Sequence, residues 1–143
     1  MIDIGLVLDE VVTYLNTLTL SETFTAKKSF LPRDDIAELQ DLTVIAFPRD
    51  YFAERSDRST ITNNFGIAIV ITKKVSANLD EVNGLLTFVQ EMYSQIFEHN
   101  FDTNKFTAED SQMSPIYDYE KISQNSVFQS MITFNGRNFG TEA

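Results

Sequence analysis

The spacing of hydrophobic residues changes along this chain, and the changes divide it into elements. Between Ile4 and Leu18, apolar residues recur at intervals of three and four: Ile4, Val7, Leu8, Val11, Leu15 and Leu18, with Val12 and Tyr14 widening the stripe. That period predicts an amphipathic helix, and Asp3 supplies a carboxylate able to cap the orphan amides of its first turn. From Ser21 to Leu31 the period drops to two, Phe24, Ala26, Lys28 and Phe30 alternating with Thr25, Lys27 and Ser29. An extended segment closed by Pro32 is expected. Residues Arg33 to Gln40 are polar around two apolar residues three apart and read as a turn or a single helical turn. Leu42 to Phe47 is a β-branched and aromatic run, a strand that Pro48 should stop.

Arg49 to Asn64 mixes charges with few apolar residues, which predicts a long loop or extended arm; such loops in compact domains are usually functional or flexible. Phe65 to Thr72 is the clearest strand, with Phe65, Ile67, Ile69 and Ile71 on one face and Gly66, Ala68, Val70 and Thr72 on the other. Large residues on one face and small ones behind suggest that helices pack on the large side. Asn78-Leu79-Asp80-Glu81 has the form of a capping box. It opens a helix whose face carries Leu79, Val82, Leu86, Val89, Tyr93 and Ile96, joined by Leu85 and Met92, and which ends near His99-Asn100. Asn100 to Asn125 is irregular and acidic, with short strands expected around Phe106 and Ile116–Tyr119. Ser126 to Phe134 alternates again, Phe128, Ser130, Ile132 and Phe134 against Val127, Gln129, Met131 and Thr133, before a polar tail over 135–143. This order predicts one α+β domain over 1–143: a mostly antiparallel β-sheet with two main helices packed on one face and a long arm between strands.

A chain of 143 residues is long enough to bury a core without covalent staples. It has no cysteine and one histidine, which excludes disulfides, thiolate sites, a thiol nucleophile and a multi-histidine metal site. The net charge of −10, from 21 acidic and 11 basic residues, repels nucleic-acid phosphates unless the cations gather on one face. Arg33, Arg49, Arg55 and Arg58 do fall close together, within residues 33–58. Between Glu98 and Glu120, by contrast, Glu98, Asp102, Glu109, Asp110, Asp118 and Glu120 face only Lys105. The two stretches suggest head-to-tail contact between identical subunits, against the plainer reading of a solvated acidic loop. No apolar run reaches a membrane-spanning length, and Met1-Ile2-Asp3-Ile4 lacks a basic signal-peptide region, so cytoplasmic synthesis without membrane partners is expected.

Little in the chain points to chemistry. The five glycines have neither dinucleotide-binding nor P-loop spacing. His99, at a helix C-terminus, has no triad-like neighbours in sequence and reads as structural. Asp34-Asp35 and Glu109-Asp110 could offer hard oxygen ligands to a divalent cation, but neither has calcium-loop spacing and adjacent carboxylates are common in turns. The aromatic residues interleave with apolar ones and not with Lys and Arg, which favours core and protein interface over base stacking. No enzyme activity, cofactor or metal is expected.

The sequence phrases themselves carry a resemblance. A first helix leads to Ser29-Phe30-Leu31-Pro32, then Glu38-Leu39 and Leu42-Thr43-Val44-Ile45-Ala46-Phe47-Pro48. Phe65-Gly66-Ile67-Ala68-Ile69-Val70-Ile71 follows a charged stretch, and the helix from Leu79 to Phe97 and Phe128-Gln129-Ser130-Met131-Ile132-Thr133-Phe134 complete the series. From about Ile4 to Phe134 the chain resembles the tail terminator (tail completion) proteins of tailed bacteriophages and related minor tail or neck proteins. The resemblance implies a virion component assembled in the host cytoplasm. It would form a ring of identical subunits, typically a hexamer, that caps the head-proximal end of the tail tube and stops its polymerisation. Its partners would be the tail tube protein and the head-side connector, with DNA only as cargo passing through the lumen. It places subunit or ring contacts on the arm, at Arg49, Tyr51, Phe52, Arg55 and Arg58, and secondly at Glu109 and Asp110. A neck or head-completion adaptor, or a minor tail protein, is the alternative within the same particle. A small cytoplasmic ligand-binding or regulatory domain is the alternative of another class.

Overall fold

The computed structural model describes residues 3–29, 42–55, 60–75, 79–103, 105–113 and 127–141. Helix α1 (Ile4–Thr17) starts where expected: Asp3 is its N-cap, Oδ1 accepting from the Gly5 amide at 2.9 Å and the Leu6 amide at 3.4 Å. Val7, Leu8, Val11 and Leu15 are its buried stripe. The chain turns into β1 (Thr25–Lys28), shorter than the alternation from Ser21 to Leu31 predicts. Its outer edge is satisfied by a side chain: Asn16 Oδ1 accepts from the Ala26 amide at 2.8 Å, and Asn16 Nδ2 donates to the Ala26 carbonyl at 3.1 Å. The amide of Asn16 thus takes the place of a neighbouring strand, a device that keeps an edge from recruiting another chain.

Strands β2 (Thr43–Arg55) and β3 (Thr60–Lys74) form a long antiparallel hairpin, followed by α2 (Leu79–Glu98), the two-residue β4 (Asn100–Phe101), β5 (Phe106–Met113) and β6 (Val127–Thr141). The strand order is β1-β2-β3-β6-β5-β4, antiparallel throughout except for the parallel β1–β2 pair. Both helices lie on one face of this sheet, α1 toward β1 and β2, α2 toward β5 and β6. The α+β architecture, with strands dominating, follows the expectation from sequence.

The core confirms the predicted face of β3. Phe65, Ile67, Ile69 and Ile71 join Val44 and Ala46 of β2, Phe128, Ile132 and Phe134 of β6, and the buried helix residues in one cluster. On α2 the buried stripe is Leu85, Phe88, Val89, Met92 and Ile96, with Phe88 meeting Phe24 edge-on at 5.2 Å. Phe101 and Phe106, from the stretch that reads as irregular, are buried too; their rings stack at 4.6 Å and Phe101 also stacks on Phe134. These three rings seal the core beneath α2.

Three expectations need correction. Arg49–Asn64 is not a loop: Tyr51 to Arg55 pairs residue by residue with Phe65 to Ile61, and only 56–59 lies outside the described residues. Pro48 does not stop β2, because a bulge between Pro48 and Asp50 leaves Arg49 as the extra residue and lets pairing resume. The polar tail is strand as far as Thr141, pairing with β3 back to Thr60. The expectations for Phe30–Gln40, Asn78 and Ile116–Tyr119 lie outside the described residues.

Candidate assembly surface

Because β3 runs for 15 residues, roughly 50 Å at about 3.3 Å per residue, it extends well past the part of the sheet that the helices cover. The core positions of β3 begin at Phe65. Residues 60–64, with 51–55 of β2 and 137–141 of β6, continue as a three-stranded ribbon. The register assigns each ribbon side chain to a face. Tyr51 pairs with the core residue Phe65, so Tyr51, Ala53 and Arg55 lie on the helix-bearing face, with Ile61 and Asn63 opposite them. Asp50, Phe52 and Glu54 lie on the other face, opposite Gly66, Asn64 and Thr62.

A polar ladder braces the helix-side face of the ribbon. The Tyr51 hydroxyl donates to Asn63 Oδ1 at 2.7 Å, Asn63 Nδ2 donates to Asn138 Oδ1 at 3.3 Å, and Asn138 Nδ2 reaches the Lys105 carbonyl at 3.5 Å. The chain of bonds crosses β2, β3, β6 and the β4–β5 turn. Asn63 is 2% exposed, so its amide is satisfied in the interior. Gly136 faces Phe65 across the ladder, and the Phe65 ring lies where a side chain at 136 would stand. The ribbon is therefore an extension held firmly at its base.

The residues nominated from sequence on the arm do not form one patch. Arg55 is exposed on the helix-bearing face, together with the exposed Ala53 and the half-buried Tyr51. Phe52, 53% exposed, stands on the opposite face between Asp50 and Glu54. Arg49 is exposed at the bulge, and Arg58 lies outside the described residues. Glu109 shares a cross-strand row with Asp50, through Gly66 and Asn135, but stands three strands away, roughly 14 Å at about 4.8 Å per strand. There it pairs with Arg137 at 3.7 Å. Asp110, at φ 51° beside the irregularity in β5, accepts from Asn135 Nδ2 at 3.3 Å. Both acidic candidates are thus engaged within their own chain, on the sheet flank opposite the arm.

His99 serves the packing. Its backbone amide closes the end of α2 on the Ile96 carbonyl at 3.3 Å, and its imidazole stacks on Tyr14 at 3.6 Å and meets Phe101 edge-on. Beside this stack runs an open groove of about 430 Å³ along the outer side of α1, lined by Leu6, Asp9, Glu10, Thr13, Tyr14, His99 and Thr103. Glu10 Oε2 accepts from the Thr103 amide at 3.1 Å, and Asp9 bridges to Lys28 at 2.7 Å. Sequence reasoning missed this groove because its parts come from α1 and from the turns around β4, over eighty residues apart in the chain. A second open groove of about 340 Å³ lies over Phe101 and Phe106 at the β4–β5 turn. Among the described residues, no three acidic or imidazole side chains gather as a metal site, and no helix is long and apolar enough to cross a membrane.

The chain matches no known protein-family model, and no curated protein matches its sequence.

Proposed function

We propose that the chain is a structural component of a tailed-bacteriophage particle, a tail terminator whose subunits form a ring at the head-proximal end of the tail tube. Polymerisation of the tube stops at this ring, and the ring joins the tube to the head-side connector. The observation that supports this reading is the braced ribbon. Six residues of β2, from Arg49 to Arg55 with only Tyr51 half-buried, are exposed on a strand whose conformation is fixed by its partners. A rigid extension of this kind reaches a neighbour without the ordering cost of a flexible loop. The net charge of −10 agrees with a lumen that lets DNA pass, because neutralising cations are what create non-specific adhesion to phosphates.

Capping is tested by adding the purified chain to polymerising tail tube protein of the same phage. Tubes of arrested length carrying one extra ring at one end are expected. Tubes that grow unchanged would overturn the terminator role. If the chain were nonetheless found in particles, it would then be a neck adaptor or minor tail protein.

A further inference from the structure

Independently of the terminator role, we infer that the outer edge of β2 in the ribbon, from Asp50 to Glu54, takes an added β-strand. The strand belongs to another protein and carries basic, apolar and basic residues at alternate positions. The Ala46 carbonyl accepts from the Ser29 amide, so Ala46 turns its backbone groups away from β3. Direction alternates along a strand, and Phe47 therefore bonds to Ala68 of β3. Beyond the bulge Asp50, Phe52 and Glu54 pair with Gly66, Asn64 and Thr62, which share the phase of Ala68 along β3. The amides and carbonyls of Tyr51 and Ala53 thus point outward. β1 pairs only as far as Ala46, and no described residue bonds to these outward groups.

At the flanks of the helix-covered sheet, helix side chains hold the strands. Asn16 of α1 takes both backbone groups of Ala26 in β1, and the Tyr93 hydroxyl of α2 donates to the Ser111 carbonyl of β5 at 2.7 Å. The ribbon edge has no such cap among the described residues, yet β3 already holds it extended. An incoming strand meets preformed partners there at little ordering cost. The side chains select which strand fits. Asp50, Phe52 and Glu54 stand on the face away from the helices, all exposed, Phe52 by 53%. Among the described residues neither carboxylate has an ion-pair or hydrogen-bond partner. An added strand sets alternate side chains beside these three, so Lys or Arg, an apolar residue, and Lys or Arg complement them. The same carboxylates work against a second copy of this chain. The antiparallel register that joins the outward groups of Tyr51 and Ala53 in two copies centres on Phe52 and sets Asp50 opposite Glu54 twice.

The test mixes the full chain with the capped heptapeptide Thr-Lys-Thr-Val-Thr-Lys-Thr at millimolar concentration and follows amide hydrogen exchange. Exchange at the Tyr51 and Ala53 amides should slow about tenfold, with the amides of α1 as the unchanged reference. The peptide with Glu in place of both Lys should bind about tenfold more weakly, and Asp50→Lys with Glu54→Lys in the chain should reverse that preference. Ala53→Pro removes an outward N–H and no ladder bond, so it should abolish binding of the lysine peptide and leave the urea midpoint in place. Unchanged exchange at Tyr51 and Ala53 would overturn the proposal, as would equal binding of the two peptides. Slowing that appears with rising protein concentration and no peptide would assign the edge to a second copy and overturn it as well. Tube capping bears on none of these readings, so the terminator role and this edge stand or fall separately.

Discussion

Gly136 has no side chain because the Phe65 ring fills the space. A Cβ at this position would overlap that ring and press on Phe106, at 3.1 Å from its Cδ2, so neither ring can yield without disturbing the other. Gly136→Ala is expected to cost about 1–3 kcal/mol, seen as a lower urea midpoint with an unchanged slope. Asn16 shows the same dependence on one residue at the opposite flank of the sheet. Its amide satisfies both backbone groups of Ala26, so Asn16→Ala leaves two part-buried polar groups without their partner and should cost about 1–3 kcal/mol. It should also speed hydrogen exchange at the Ala26 amide. A control at the exposed Thr19 should change neither reading. Nothing in the sequence alone marks Asn16: its role depends on a residue ten positions away that the α1–β1 turn brings back beside it.

The elements that are legible in the sequence are those whose apolar residues recur with the element's own period. In α1 the buried positions match that period; in β3 and β6 the large side chains alternate into the core cluster, although β3 is buried on both faces from Phe65 to Thr72. The ribbon hid for the opposite reason. Residues 49–55 have solvent on both faces, so no alternation is selected, and pairing rests on backbone bonds that any residue type can make. The proline that seems to end β2 is absorbed by a bulge on a strand whose outer neighbour, β1, pairs only as far as Ala46. The strand expected around Phe106 is β5, whereas Phe101 is obscured by charged and turn-forming neighbours, although an isolated Phe in a polar stretch is itself a sign of a buried anchor. On α2 the buried stripe keeps Leu85, Val89, Met92 and Ile96 of the face that sequence spacing favours and adds Phe88, which Phe24 meets edge-on from the α1–β1 turn. The ribbon's stiffness belongs to the same scale. Asn63→Ala removes the middle of the Tyr51–Asn63–Asn138 ladder, and amides of 51–55 and 60–64 should then exchange faster while those of 67–71 stay protected.

For the molecule as a whole, the segments that the sequence nominates for assembly do not come together in one patch. The basic arm and the acidic pair Glu109–Asp110 occupy opposite flanks of one sheet, and the acidic pair is engaged by Arg137 and Asn135. The arm itself presents Arg55 and Phe52 to different sides. Folding and assembly should therefore separate cleanly. Reversing Arg49 and Arg55, both exposed, should change unfolding stability by no more than about 0.5 kcal/mol while abolishing self-association seen by light scattering. Loss of folding in that variant would assign the arginines to the subunit and not to its neighbours.

The proposed place of the chain is tested most directly by imaging. With the C-terminus tagged in intact phage particles and the label located by electron microscopy, the terminator role predicts one band of label at the head–tail junction of every particle. Label spread along the tail, or absent from particles, would contradict it.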